Sequence, residues 1–330
     1  YMAVMRDLYG DRIWIPSVDD SNNAFRKYVD DVRAGRIPPG AEVVEKDGRV
    51  SVQGVQGVML INGILSKDIF AKNKHKHSFY VEESYVIPWM YPYLSPHGLI
   101  MKINKDPLPN IPAEIVANDH DFWEWYTNRL KNNPKFKRDV VARKTFSKLR
   151  SAIGGLYIFR RNYTEAEHAF KQAIALYDLS PEANFRLADA YVQQRKFDDA
   201  IAQIEEFLKK DEGNEKVRTY CNQLISTREK DLRRAELEDQ LSKGADLTVA
   251  AELLGLYRDL GQASKFQNLA NRILGDKRVP TDFLRKVGEI SMKGRQWNLA
   301  QRAYQLMLER APNDFSAWIE LAAAQLASRK

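Results

Sequence analysis

The sequence predicts an α+β protein: a small N-terminal α/β domain over residues 1–146, followed by an all-α solenoid of helical repeats over 147–330. Three observations carry this reading. Beyond about residue 147, small and apolar residues recur at an offset of 34. Before that point, short β-rich runs alternate with helical patterns and no such offset appears. The composition, 44% hydrophobic and 29% charged over 330 residues, is that of an ordinary globular chain of about two domains.

The same arithmetic excludes several classes. A formal charge of +7, from 51 basic and 44 acidic residues, is a mild excess and not the dense basic face of a nucleic-acid binder. No nucleic-acid partner is therefore expected. The longest mostly apolar stretch, Val55 to Leu65, is broken by Gln56, Gly57, Asn62 and Gly63 and falls well short of the ~20 residues of a spanning helix. A lone cysteine, Cys221, leaves no internal disulfide and no thiolate zinc cluster. The sequence opens on Tyr1 with no signal peptide after it, which predicts a processed product or a piece of a longer protein.

Along the first half, strands are expected at Arg12–Ile15, Glu42–Val44, Arg49–Val52, Ser78–Val81 and Leu99–Ile103. Asp47-Gly48 lies between the second and third of these and signals a tight hairpin. Helices are expected over 19–33, with Phe25, Val29 and Val32 at helical spacing, over 55–71, and over 119–130, with Phe122, Trp123 and Tyr126. Prolines 88, 92 and 96, then 107, 109 and 112, punctuate the intervening chain. Between Arg129 and Arg150 nine basic residues stand against one acid, Asp139, which predicts a basic connecting helix over 129–150. Such a run is a solvated face or a site for acidic lipid headgroups, at roughly 1 kcal/mol per basic residue.

In the second half, Gly154, Tyr157, Ala166 and Phe170 reappear 34 residues later as Ala188, Tyr191, Ala200 and Ile204. In the same phase Phe266, Ala270 and Ile273 become Ala300, Tyr304 and Met307. These residues resemble the tetratricopeptide repeat, a helix–turn–helix unit with small residues and aromatics at fixed places. The resemblance implies repeats at 147–180, 181–214, 247–280 and 281–314, a degenerate repeat at 215–246 with one or two solvated helices, and a capping helix at 315–330 begun by Trp318 and Leu321. In 247–280, Phe266 fills a small-residue slot and Ala270 an aromatic one; in 281–314, Ser291 stands where an aromatic belongs. The small and aromatic positions read as core, because each helix pair buries its apolar stripe only against its neighbours.

The same resemblance implies a concave face lined by the first helix of each pair. Its slots hold Lys148, Ser151, Phe159, Glu182, Phe185, Asp189 and Gln193. Farther along they hold Arg258, Asp259, Asp282, Arg285, Glu289 and Lys293. Mixed charge separates this face from the basic, asparagine-rich clamp by which some members hold a peptide carboxylate. Phe159 and Phe185 are the apolar anchors for a protein or peptide partner; the alternative is an ordinary solvated surface.

Catalytic signatures are missing from the sequence. Gly54-Val55-Gln56-Gly57 lacks the lysine and third glycine of a phosphate loop, and neither a Gly-x-Ser-x-Gly elbow nor a His-Glu-x-x-His helix occurs. His75 and His77 flank a lysine in a turn-like stretch and read as exposed loop, so no metal and no cofactor are expected. Trp89, Tyr91 and Tyr93 read as core or domain packing; with Glu82 and Glu83 they also form the one candidate glycan-contacting group.

The runs Phe79–Ser84, Trp89–Leu94 and Pro96–Ile100, with Gly54–Met59 and Ile61–Leu65, resemble segments of bacterial multispanning membrane proteins similar to the protein O-mannosyltransferases. The resemblance covers residues 1–180. It implies a non-catalytic, extracytoplasmic accessory domain of a glycosyltransferase-like membrane protein, tethered through an absent N-terminal part, with a periplasmic location and a cytoplasmic one as the alternative. That superfamily's catalytic acids lie in a loop outside this sequence, so none is carried over. The expected function is a protein-interaction scaffold; the alternative is a carbohydrate-binding or glycosyl-transfer accessory role using residues 79–100.

Overall fold

The computed structural model describes residues 2–10, 12–37, 42–82, 86–244 and 246–328. The chain is mostly helical, with small antiparallel sheets near the N-terminus. It divides into two compact units, residues 1–212 and 213–330, so the first two repeats share a unit with the segment that precedes them. Among the described residues no helix is long and apolar enough to cross a membrane.

Unit 1 opens with α1 (Met2–Tyr9) and α2 (Val18–Arg33). Ser17 starts α2 with a capping box: its hydroxyl accepts from the Asp20 amide at 3.1 Å, and the Asp20 carboxylate accepts from the Ser17 amide at 2.8 Å. The Arg12–Ile15 run, expected as a strand, forms none. Asn73 takes the place of a partner strand: its Oδ1 accepts from the Trp14 amide at 2.8 Å, and its Nδ2 donates to the Trp14 carbonyl at 2.9 Å. The amide that does this is itself buried.

In place of the expected α/β layering the strands form antiparallel sheets, with two of the strand pairs joined by two-residue turns. β1 (Glu42–Lys46) and β2 (Arg49–Gln53) form a hairpin closed by Asp47 and Gly48, both at positive φ, 52° and 70°. This is the backbone an Asp-Gly pair accommodates and most residues resist. A three-stranded sheet has the order β3 (Phe79–Val81), β5 (Ile100–Ile103), β4 (Leu94–His97). Val81, Met101, Ile103 and Leu94 are buried in it, together with Ser95 and Pro96 of β4. Between the sheets runs α3 (Val55–Asn73), and a 3-10 turn over Pro88–Tyr93 leads into β4.

The stretch 129–150 is three helices and not one. α4 (Ala113–Lys131) ends before Asn132-Asn133-Pro134, α5 (Pro134–Arg138) is a single turn, and α6 runs Val140–Phe159. Asn133 caps α5 through the Lys135 amide at 2.9 Å, and Asp139 caps α6 through the Ala142 amide at 2.9 Å. Arg150 is not part of any solvated basic face. It is fully buried and donates from Nη1 to both oxygens of buried Asp119, at 3.1 and 2.8 Å. Tyr157 donates to the same carboxylate at 2.9 Å, and Gln172 accepts from Arg150 Nε at 2.8 Å. This network ties α4 to the first repeat.

Two helix pairs complete unit 1: α6 with α7 (Tyr163–Leu176), and α8 (Pro181–Gln193) with α9 (Phe197–Lys210). Unit 2 holds α10 (Glu215–Ser242), α11 (Leu247–Asp259), α12 (Ala263–Gly275), α13 (Thr281–Lys293), α14 (Trp297–Arg310) and α15 (Phe315–Ala327). The segment expected as a degenerate repeat is the single helix α10, since nothing between 215 and 242 is a glycine or proline that would break it. One continuous core in unit 2 runs from Leu237 through Phe266, Val287 and Tyr304 to Leu321 and Ala324.

The pairing of small and aromatic residues is a matter of space. A Cβ on Gly154 would stand 2.6 Å from the Phe170 ring, and one on Gly288 would stand 2.6 Å from the Tyr304 ring. In the intervening repeat the volumes are exchanged: Leu254 holds the small slot and Ala270 the aromatic slot, and both are fully buried. Each helix pair also turns through one left-handed residue: Arg161 at φ 60°, Arg195 at 62°, Gly261 at 65° and Arg295 at 54°. The following amide bonds back to the carbonyl five residues earlier, as Asn162 does to Tyr157 at 2.9 Å and Gln296 to Ser291 at 2.9 Å. This is the Schellman closure of the first helix.

Candidate protein-binding faces

In unit 1, the first helices α6 and α8 project Lys148, Asp189 and Gln193 outward as exposed residues. Tyr163 donates to Gln193 at 3.5 Å, and half-buried Glu182 pairs with Arg186 at 3.1 Å one helical turn on. Ser151 is fully buried and lines no surface. The expected anchors both have ring partners within the fold, while Phe159 stays 49% exposed. Phe185 meets the Phe207 ring edge-on, with centroids 6.1 Å apart, and Phe159 packs on Tyr91 at 5.1 Å. Beside it Arg160 donates to the carbonyls of Tyr91, Pro92 and Leu108. Phe159 and Arg160 thus fasten the 3-10 turn to the end of α6.

The aromatic group at 89–93 is spent in the same way. Trp89 donates to Ser66 at 3.1 Å, and its ring clusters with Phe70 at 5.4 Å and Tyr93 at 6.1 Å, Tyr93 also lying 5.4 Å from Phe70. Tyr91 faces Phe159 instead, so the three rings form no common platform for a sugar. Glu82 is exposed, and Glu83 lies outside the described residues. His77 donates from Nε2 to the Arg12 carbonyl, 2.8 Å away. Among the described residues no group of three or more metal-ligating side chains comes together.

In unit 2, Glu289 and Lys293 are exposed on α13, while Arg258 is held by the neighbouring Asp259 at 2.6 Å. Arg285 is a structural tie. It donates to Asp314 at 2.7 Å and to both oxygens of Glu320 at 2.8 Å, fixing the first turn of α15 against α13. Burial pulls its guanidinium down, but the two carboxylates outweigh this and hold it above its usual range. Asp314 also caps α15 through the Ala317 amide at 3.1 Å.

The feature sequence reasoning missed is the outer side of α15. Ala317, Leu321 and Ala324 face the core, as a capping helix requires. The opposite side is apolar too: Phe315 is 82% exposed, Ile319 70%, Leu326 65% and Trp318 54%. The signal was present as apolar residues at 315, 318, 319, 322 and 326, a second helical stripe beside the one at 317, 321 and 324. In repeat register α15 stands one period of 34 after α13, so Ala322 occupies the place of Gly288, the residue on which a following helix seats its aromatic ring.

Residues 152–215 match the family model described as tetratricopeptide repeat. No curated protein sequence matches the chain. Among solved structures the chain is similar to a tetratricopeptide repeat protein from Parabacteroides merdae ATCC 43184, at 10% identity over 92% of this chain and 98% of that one, with a TM-score of 0.28. It is also similar to the TPR domain of P58(IPK), at 13% identity over 67% and 71% of the two chains, TM-score 0.25. A third similar structure is the APC/C hetero-tetramer Cut9–Hcn1, at 15% identity over 64% and 49%, TM-score 0.23. The family match and the helix-pair packing support the tetratricopeptide repeat superfamily for the repeats.

Proposed function

We propose that this chain is a protein-interaction scaffold and that the outer face of α15 is its principal contact in unit 2. The observation that carries the reading is the uncharged apolar stripe of Phe315, Trp318, Ile319 and Leu326 on a helix already satisfied on its other side. The repeat register supports an amphipathic helix as the occupant, one that sets a bulky aromatic over Ala322 as Tyr304 sits over Gly288. A photocrosslinking residue at Ile319, compared with one at exposed Lys286, tests this in cells expressing the protein. The expected result is a discrete protein adduct at Ile319 that Phe315→Asp abolishes. Equal labelling at both positions, or none, refutes it.

We further propose an extracytoplasmic placement, as an accessory domain of a glycosyltransferase-like bacterial membrane protein. What supports this is the resemblance of the runs within residues 54–100 to such proteins. The complete reading frame tests it: apolar spans upstream of Tyr1 are expected, and a start codon immediately before it would refute the tether.

A further inference from the structure

The corner where α4, α5 and α6 meet carries a second surface, independent of α15. Lys131, Lys135, Lys137 and Arg138 are exposed there, and no carboxylate within reach pairs with them among the described residues. The acids nearby are committed: Asp139 caps α6 through the Ala142 amide, and Asp178 holds Arg143 at 3.1 Å. Val140 and Val141 follow directly, the latter 74% exposed, and Lys144 lies one helical turn on from both. Lys131, Lys137, Arg143 and Phe136 line a cleft of about 270 Å³ that reaches the end of α7 at Leu176.

We infer that this corner is a docking surface for an anionic lipid bilayer, with the two valines entering the headgroup region and the cleft taking a lipid phosphate. Cations alone would suit any polyanion. Two adjacent apolar side chains held in water at the apex of a basic patch are a liability that only an interface with an apolar interior relieves. Each lysine or arginine near an anionic surface adds roughly 1 kcal/mol of attraction, which falls away within a Debye length as salt rises. The basic run of the sequence therefore divides by role: Arg150 and Arg143 hold the fold, and the residues between 131 and 144 that lack carboxylate partners face outward.

Co-sedimentation of the full chain with vesicles tests the assignment. The chain is expected to bind phosphatidylcholine vesicles containing phosphatidylserine and not vesicles of phosphatidylcholine alone. Lys137→Glu with Arg138→Glu should weaken binding at least about tenfold, and Val140→Ser with Val141→Ser should weaken it several-fold. All four positions are exposed, and an unchanged thermal melt verifies the fold of each variant. Equal binding to both vesicle types overturns the inference. So does unchanged binding of the valine variant combined with full displacement of the wild type by polyglutamate, which would assign the corner to acidic protein.

Discussion

Arg150 and Asp119 form an ion pair with no solvent access on either side chain, and it joins α4 to the first helix of the repeats. Burial holds the guanidinium below its usual range, and the carboxylate beside it opposes that shift. Arg150 Nη2 has no acceptor among the described residues, which makes the single bidentate partner all the more consequential.

Asp119→Ala is accordingly expected to cost about 3–5 kcal/mol, since it strands a buried guanidinium. The double variant Asp119→Leu with Arg150→Met should recover a large part of that loss. Urea unfolding of the single and double variants measures both; a cost below about 1 kcal/mol for the single change would show that water reaches the site.

Gly154→Ala and Gly288→Ala should each destabilise by about 1–3 kcal/mol, because the new methyl lands on the Phe170 or Tyr304 ring. Gly255→Ala is the contrasting case, a helical glycine with open space around its Cα. It should raise stability by up to about 1 kcal/mol through helix propensity alone. Thermal melts of the three variants separate packing from propensity.

The interhelical turns predict a gain. Arg161 and Arg295 sit at φ 60° and 54°, where a Cβ is disfavoured, and Gly261 holds the equivalent place without that penalty. Arg161→Gly and Arg295→Gly should each stabilise by about 0.5–1 kcal/mol, and Gly261→Arg should lose about 1 kcal/mol. Chemical denaturation at neutral pH reads the sign directly.

His120 and His168 stack with ring centroids 4.5 Å apart, joining α4 to α7. Burial, then His120 and Arg150, hold His168 below its ordinary 6.5, against the opposing pull of Asp119 and Glu124. The folded state thus takes up its proton later than the unfolded chain does. Stability is full above about pH 6.5 and declines as pH falls below it. His168→Phe should flatten that decline between pH 7 and 5; an identical slope in the variant would assign the loss to other groups.

The repeats were readable because their volumes and their 34-residue spacing are both written in residue types. Gly154 with Phe170 and Gly288 with Tyr304 are visible in the sequence as pairs. The exchange of Leu254 for a small residue and Ala270 for an aromatic hid the intervening repeat, since packing conserves the sum of two volumes and not the order in which they occur. Helices α2, α3 and the later part of α4 followed from their apolar spacing, whereas α1 and α5 were not anticipated. The strand expected at Arg12–Ile15 did not form, because β-rich composition describes a segment and says nothing of whether a partner edge is present. Of the candidate contact residues, Phe159 and Arg285 are engaged within the fold by Tyr91, Asp314 and Glu320, none of which is near them in sequence. The outer stripe of α15 was in plain view, but a helix apolar on both sides reads as buried until its neighbours are known.

The double hydrogen bond between Asn73 and Trp14 has a consequence for tolerance to change. A strand spreads its hold over a ladder of backbone groups, so no single residue is decisive. Here one amide side chain grips both the N–H and the C=O of a single residue, Trp14, like a rivet through a strap. The hold is on the backbone, while the Trp14 ring is met separately by the Lys72 ammonium at 3.7 Å. The rivet cannot vary: even aspartate at position 73 lacks the donor, and its loss would free the middle of the segment at Trp14 while His77 and Arg6 still hold the Arg12 and Pro16 carbonyls.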